Sequence, residues 1–230
     1  MKMLMNAEVR EALGKPGLED WRKLARALHA RYLTGDFATG LKFVTAISEA
    51  AEAANHHPDL TLTYPLVDLK LLTHDAVYDG GETQRQLPWV TQKDLDLAAT
   101  ISGIARDLGI EADPSAVTGL ELALDSAEMA AVGAFWAALL TGSTESFADG
   151  DVVDPSDRLP LLWFQETDAH ETPRQRFHLD VWVPHDVADE RIAAAVAAGG
   201  TVVDDSEAPS FTVLADAEGN RACVCSIGAR

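Results

Sequence analysis

The sequence predicts an α+β protein of two domains, and three observations carry that expectation. Runs with helical spacing and runs that alternate both occur in the first half, at Phe37 to Ala51 and Leu62 to Leu71. The pattern then changes after Asp113-Pro114-Ser115, where a proline and small polar residues follow a helix stop at Gly109. Beyond that point a strand, a helix and further strands come twice over, an internal repeat at the supersecondary level. A chain of 230 residues can hold two such domains, each with its own core. We place them at residues 1–112 and 118–230, with 113–117 as linker.

Residues 1–15 read as a short helix or a frayed lead-in. From Leu18 to Ala30, Trp21, Leu24, Ala25 and Leu28 recur at helical spacing, although Leu28 to Leu33 also suits a strand. Thr34-Gly35-Asp36 reads as a turn with Asp36 as N-cap. Phe37, Leu41, Val44, Ile47, Ser48 and Ala51 then make a core-facing stripe, and the helix must stop before Pro58. Leu62, Tyr64, Leu66, Val67, Leu69 and Leu71 mostly alternate, as a strand does. Asp75 to Val90, with Asp79-Gly80-Gly81-Glu82 and Leu87-Pro88-Trp89, reads as a long loop, in which Trp89 either packs on the core or stacks on a flat ligand. Thr91 with Asp94 three residues later is a capping-box signal, and Leu95, Ala98, Ile101, Ser102 and Ala105 form the inner face of the helix that follows.

In the second half, Leu120, Leu122 and Leu124 alternate as a strand, and a helix runs from about Ser126 to Leu140. Strands are expected at Leu161 to Glu166 and Phe177 to Val183, and a helix at Ala188 to Ala198 closed by Gly199-Gly200. Strands at Thr201 to Val203, Phe211 to Leu214 and Ala222 to Ser226 complete the repeat.

Composition excludes several functions. A formal charge of -19 argues against nucleic-acid phosphates and anionic membranes as partners, and the acid is spread along the chain rather than gathered in a tail. No apolar run is long enough to span a bilayer, and the N-terminus lacks the apolar core of a secretion signal. Cys223 and Cys225, two apart on a strand, have Cα atoms about 6.5–7 Å apart, poor geometry for a disulfide. Reduced thiols in a cytoplasmic protein are the simplest account.

Chemistry concentrates between Glu52 and Asp75, where three of the seven histidines lie. His56 and His57 follow the end of an alanine-rich helix, so a break in backbone direction can aim both into one space. His74 closes the following alternating run, and either a return path or a second chain must bring it to His56. Imidazoles near neutrality give and take protons. Glu52, one turn before His56, sits where it either orients an imidazole or holds a substrate amine.

The order Glu52-x-x-x-His56-His57-Pro58, five residues, Tyr64, nine residues, His74 resembles the signature of the pterin-4a-carbinolamine dehydratases. The resemblance runs from about Trp21 to Leu108 and includes Thr91-Gln92-Lys93-Asp94-x-x-Leu97-Ala98. Asp94 matches that family's motif aspartate, and its place in the helix cap accounts for it. The resemblance implies an antiparallel sheet with helices on one face, assembled as a homodimer or tetramer. It implies dehydration of 4a-hydroxytetrahydropterin to quinonoid dihydropterin, with no metal, nucleotide or redox cofactor required. On that footing His56 and His74 share acid and base work, His57 holds the pterin, Glu52 orients or binds, and Asn55, Thr73 and Asp75 line the pocket.

The second half, about Gly119 to Ser226, is similar to the glyoxalase-like branch of the vicinal-oxygen-chelate superfamily. Phe135-Trp136-Ala-Ala-Leu-Leu, Leu162-Trp-Phe-Gln-Glu166, Arg176-Phe-His178-Leu-Asp180 and Asp216-Ala-Glu-Gly-Asn220 carry the match. That likeness implies paired βαβββ modules, and its divalent-metal positions fall on Glu121, Glu166, His178 and Cys223. Glutamate in place of histidine, and cysteine in place of glutamate, favour metal-free small-molecule binding or a structural role. A small-molecule-binding protein, and a metal-dependent lyase or dioxygenase acting through this half, are the competing functions.

Overall fold

The computed structural model describes residues 1–79, 84–117, 121–169, 179–182 and 188–225. The chain divides into two compact units, Met1–Gly119 and Leu120–Arg230. Both are mixtures of helices with largely antiparallel sheets, the α+β class expected. No helix among the described residues is long and apolar enough to cross a membrane.

The first unit opens with α1 (Asn6–Leu13), then β1 (Arg22–Leu24) and β2 (Ala27–Leu33). The expected helix over Leu18 to Ala30 is therefore a hairpin, with Arg22 opposite His29 and Leu24 opposite Ala27. The apolar residues there are needed by two different structures. Leu18 and Trp21 sit in a turn closed by Trp21 N–H donating to the Leu18 carbonyl, and Leu28, Ala30 and Tyr32 alternate along β2. At the corner Ala25 takes φ 47°, which no helix tolerates.

Helix α2 (Phe37–Ala54) starts at Asp36, whose carboxylate accepts from Thr39 N–H at 2.8 Å, the expected cap. The single strand expected after Pro58 is two: β3 (Asp59–Thr63) turns at Tyr64-Pro65 and returns as β4 (Leu66–Leu71). In the sheet β1-β2-β4-β3, with the short β7 (Glu111–Ala112) also on β2, every pairing is antiparallel. The pleat sorts the faces. Leu28, Ala30, Tyr32, Val67, Leu69 and Leu71 lie in register towards the helices, whereas Arg31 and Asp68 pair on the other face.

The stretch read as a loop over Asp75 to Val90 is a further hairpin, β5 (Thr73–Asp79) on β6 (Gln84–Trp89). Backbone pairing explains it: the loop's Gly-Gly segment lies outside the described residues, and the flanks on either side pair. Trp89 packs against the core, its indole N–H donates to the Leu4 carbonyl at 2.8 Å, and the Lys23 ammonium lies over its ring. Helix α3 (Gln92–Asp107) buries Leu95, Ala98, Ile101, Ser102 and Ala105 beside Phe43, Ile47 and Ala51 of α2.

The second unit repeats one topology. The first module is β8 (Glu121–Ser126), α4 (Met129–Thr141), β9 (Phe147–Ala148), β10 (Asp151–Val152) and β11 (Leu161–Glu166). The second is β12 (Leu179–Trp182), α5 (Ala188–Ala197), β13 (Thr201–Asp204), β14 (Phe211–Ala215) and β15 (Arg221–Cys225). Their sheets run β8-β11-β10-β9 and β12-β15-β14-β13, each with its first strand parallel to its last. Phe135, Trp136 and Leu139 of α4 fill the core against Leu162, Phe164, Leu214 and Val224.

Candidate active site

Helix α2 ends in a manner that separates the two adjacent histidines. Asn55 takes the left-handed conformation, φ 45° and ψ 48°, which asparagine accepts more readily than most residues. Asn55 N–H then donates to the Glu52 carbonyl and His56 N–H to the Ala51 carbonyl, both at 3.1 Å. That pair of bonds closes the helix and turns the chain sharply. His56 is carried inwards, 9% exposed, and His57 stays at the surface.

The carboxylate that meets His56 is Asp94, not Glu52. His56 Nε2 lies 2.7 Å from Asp94 Oδ1. Asp94 is fully buried, and its other oxygen collects three donors: Thr91 N–H at 2.7 Å, the Thr91 hydroxyl at 3.0 Å and the Thr73 hydroxyl at 2.8 Å. The capping box of α3 is thus also one wall of the histidine site. The sequence carried the signal, since Asp94 occupies the third helical position and follows the histidines in order. The cap uses only one of the two carboxylate oxygens, and the other is left for the imidazole.

Glu52 pairs instead with His57, Oε1 to Nε2 at 3.2 Å, with both side chains mostly exposed. Such a surface pair is worth little to stability. Asn55 is exposed and serves as the helix-ending residue.

The return path for His74 is the β3–β4 hairpin. Asp59 lies opposite Lys70, so the chain comes back beside Pro58 before β5 begins. Thr73 is buried with its hydroxyl on Asp94, which sets His74 one residue from the His56–Asp94 pair. Between Thr73 and Ala76 strand β5 takes three steps while β6 takes two, from Trp89 to Leu87. This bulge lets His74 and Asp75 both face outwards while Thr73 and Ala76 face in. Of the predicted residues of the first unit, His56 and Thr73 both meet Asp94, and His57, Glu52, His74 and Asp75 are exposed.

The predicted metal positions of the second unit do not gather. Glu121 lies opposite Leu161 and Glu166 opposite Ser126, five residues apart along parallel strands, roughly 16–17 Å. They also fall on opposite faces, because Glu166 alternates with buried Leu162 and Phe164 and Glu121 does not. Burial pushes the Cys223 thiol up from its ordinary range, and the neighbouring Asp180 adds to this. His178 lies outside the described residues, and no three His, Cys, Asp or Glu side chains cluster as metal ligands among those described. Glu121, Glu166 and Cys223 do not fit one ion.

The Asp216-Ala-Glu-Gly-Asn220 turn is committed to structure. Asp216 accepts from the Trp136 indole N–H at 3.0 Å, from the backbone of Glu218 and Asn220 at 2.9 Å, and from the Asn220 amide at 2.8 Å. Glu218 reaches the start of α4, accepting from Ser126 Oγ and from the N–H groups of Ala127 and Glu128.

Comparison with known proteins divides the chain in the same way. A family model described as pterin 4 alpha carbinolamine dehydratase matches residues 2–104, and one described as a glyoxalase-like domain matches residues 121–225. A Koribacter versatilis protein named "Putative pterin-4-alpha-carbinolamine dehydratase" is 41% identical over 86 residues, 37% of this chain and 86% of its own. A protein of the same name from Cyanothece sp. is 36% identical over 105 residues, 46% of this chain and 95% of its own. A crystal structure of a transcriptional coactivator/pterin dehydratase from Brucella melitensis, 30% identical, covers 45% of this chain and 99% of its own with a TM-score of 0.37. Its C-terminal half is similar to a glyoxalase-like domain, and through its N-terminal half the chain belongs to the pterin-4a-carbinolamine dehydratase family.

Proposed function

We propose that the first unit dehydrates 4a-hydroxytetrahydropterin to quinonoid dihydropterin by histidine acid–base catalysis. The observation that carries this is the buried His56–Asp94 pair, 2.7 Å apart, joined through Thr73 to the strand that presents His74. The reaction breaks the C4a–O and N5–H bonds and makes the N5=C4a double bond. The departing oxygen takes one proton and leaves as water, while a base removes one from N5. Protons balance and no electrons leave the ring, so two imidazoles are sufficient machinery. His56 and His74 supply that pair, His57 holds the pterin, and Glu52 steadies His57 from 3.2 Å. Asn55 and Asp75, both exposed beside these histidines, border the pterin.

The test is turnover of 4a-hydroxytetrahydropterin by the full chain and by His56→Ala and His74→Ala. Each substitution is expected to lower the rate by about 10²–10⁴-fold. Wild-type turnover in both variants would remove the assignment.

For the second unit we propose a metal-free ligand-binding or structural role, supported by the separation of Glu121 from Glu166. Stoichiometric zinc, iron or manganese in purified protein, retained through dialysis, would overturn it in favour of a metal-dependent lyase or dioxygenase.

A further inference from the structure

We infer that Thr73 and Thr91, acting through Asp94, are positioning residues that hold His56 as its Nε2–H tautomer and leave Nδ1 as the atom that takes the substrate proton. The role given to Nδ1 rests on the dehydratase reading; the tautomer does not.

Three donors converge on Asp94 Oδ2, and the Thr73 and Thr91 hydroxyls also lie 2.8 Å from each other. An ionised carboxylate only accepts, and the Thr91 N–H, which can only donate, meets it at Oδ2. Oδ1 is left for His56, so Nε2 is the donor across the 2.7 Å contact. A neutral imidazole that donates through one nitrogen carries its lone pair on the other.

That other nitrogen is open. No hydrogen bond to His56 Nδ1 occurs among the described residues, and every fully buried side-chain nitrogen or oxygen among them has a partner. Nδ1 therefore belongs to the part of His56 that reaches the surface. The substrate N5–H proton passes to Nδ1, its bonding pair becomes the N5=C4a double bond, and the C4a–O pair departs with the oxygen. His74, exposed one residue beyond Thr73, is the group placed to protonate that oxygen.

The two threonines come from different elements, Thr73 from β5 and Thr91 from the start of α3. Thr91 alone fixes Asp94 within its own helix. Thr73 ties the same oxygen to the strand, so the carboxylate cannot rotate away from the imidazole.

The first test is the ring-nitrogen spectrum of ¹⁵N-labelled full-length protein at about pH 9, above the ordinary imidazole range. His56 is assigned by its absence from His56→Gln. The expected result is a protonated Nε2 and a bare Nδ1; a protonated Nδ1 or an even mixture overturns the proposal. The second test is Thr73→Val, expected to give mixed tautomers and a kcat roughly threefold to tenfold lower at unchanged KM. Thr73→Ser should restore both. A Thr73→Val protein with the wild-type spectrum and kcat sinks the role of Thr73, and if that variant does not fold, the wild-type spectrum decides. Because the spectrum needs no turnover, an Nε2–H His56 in a chain that fails to dehydrate pterin supports the positioning and removes the dehydratase reading alone.

Discussion

Asp94 shows how one side chain joins two tasks. Its Oδ2 caps α3 through Thr91 N–H, and its Oδ1 meets His56. Asp94→Ala is expected to cost about 2–4 kcal/mol, combining a lost cap with buried donors left unpaired on Thr73 and His56. Urea denaturation of the full chain measures this, and a loss under about 0.5 kcal/mol would contradict the linkage. A second carboxylate makes a prediction with pH. Burial pushes Asp154 up, but the Ser156 hydroxyl and the N–H groups of Ser156, Arg158 and Leu159 together hold it below the usual carboxylate range. A carboxyl lowered on folding contributes stability above its unfolded pKa, and that contribution disappears as pH falls through the folded value. Asp154→Asn should therefore show a flatter decline of the urea midpoint than wild type between about pH 4 and 2. Equal declines would show that these hydrogen bonds do not favour the ionised form. At this scale the sequence identified the histidines but not their partners. Glu52 stands one turn before His56, yet the left-handed Asn55 swings His56 away and leaves His57 beside it.

Elements were legible wherever their period was unshared. The inner face of α3 and the longer strands of the second unit follow from spacing alone, but the stripe of α2 is only partly as expected: Ile47 and Ala51 are buried, Phe37, Leu41 and Ser48 are exposed, and Gly40 and Phe43 take their place on the inner face. The first hairpin was not legible, because Trp21, Leu24, Ala25 and Leu28 match a helical period while the backbone turns at Ala25. Two glycines test how tightly the elements pack. A Cβ at Gly200, between α5 and β13, would overlap the buried Phe135 ring of α4 and crowd the Ala195 carbonyl. Gly200→Ala should cost about 1–3 kcal/mol, since neither the ring nor the backbone can yield easily. Gly40 on α2 faces the end of the half-buried Leu62 side chain, the Thr34 hydroxyl and, at ordinary contact distance, Val67. There the gain in helix propensity, about 1 kcal/mol, offsets the crowding, and Gly40→Ala should stay within about 1 kcal/mol of wild type. Calorimetry of the two variants checks the order, and a larger loss at Gly40 would reverse the packing argument.

At the scale of the whole molecule, a formal charge of -19 sets up self-repulsion that salt screens. Phe37 and Leu41, one turn apart on α2, are each 54% exposed, and Tyr64 at the β3–β4 turn is 74% exposed. We propose that Phe37 and Leu41 meet a second copy in the homodimer or tetramer that the family resemblance implies. Sedimentation equilibrium should find two or four copies at micromolar concentration, with Phe37→Ser/Leu41→Asp shifted towards monomer. A wild-type monomer under those conditions would remove the proposal.

Local chemistry was enough to establish the α+β class and the order of most elements, because hydrophobic period, caps and proline stops act within a few residues. The three histidines and the motif aspartate were also visible as residue types in order. Only the tertiary structure decided which carboxylate serves which imidazole, since that depends on Thr73, Thr91 and Asp94 arriving at His56 from three parts of the chain. It also decided that Glu121 and Glu166 stand apart, because strand register, which spacing along one strand does not contain, sets what lies opposite. Sequence specifies directly what is local; contact between distant residues is set by the packing of the elements that carry them.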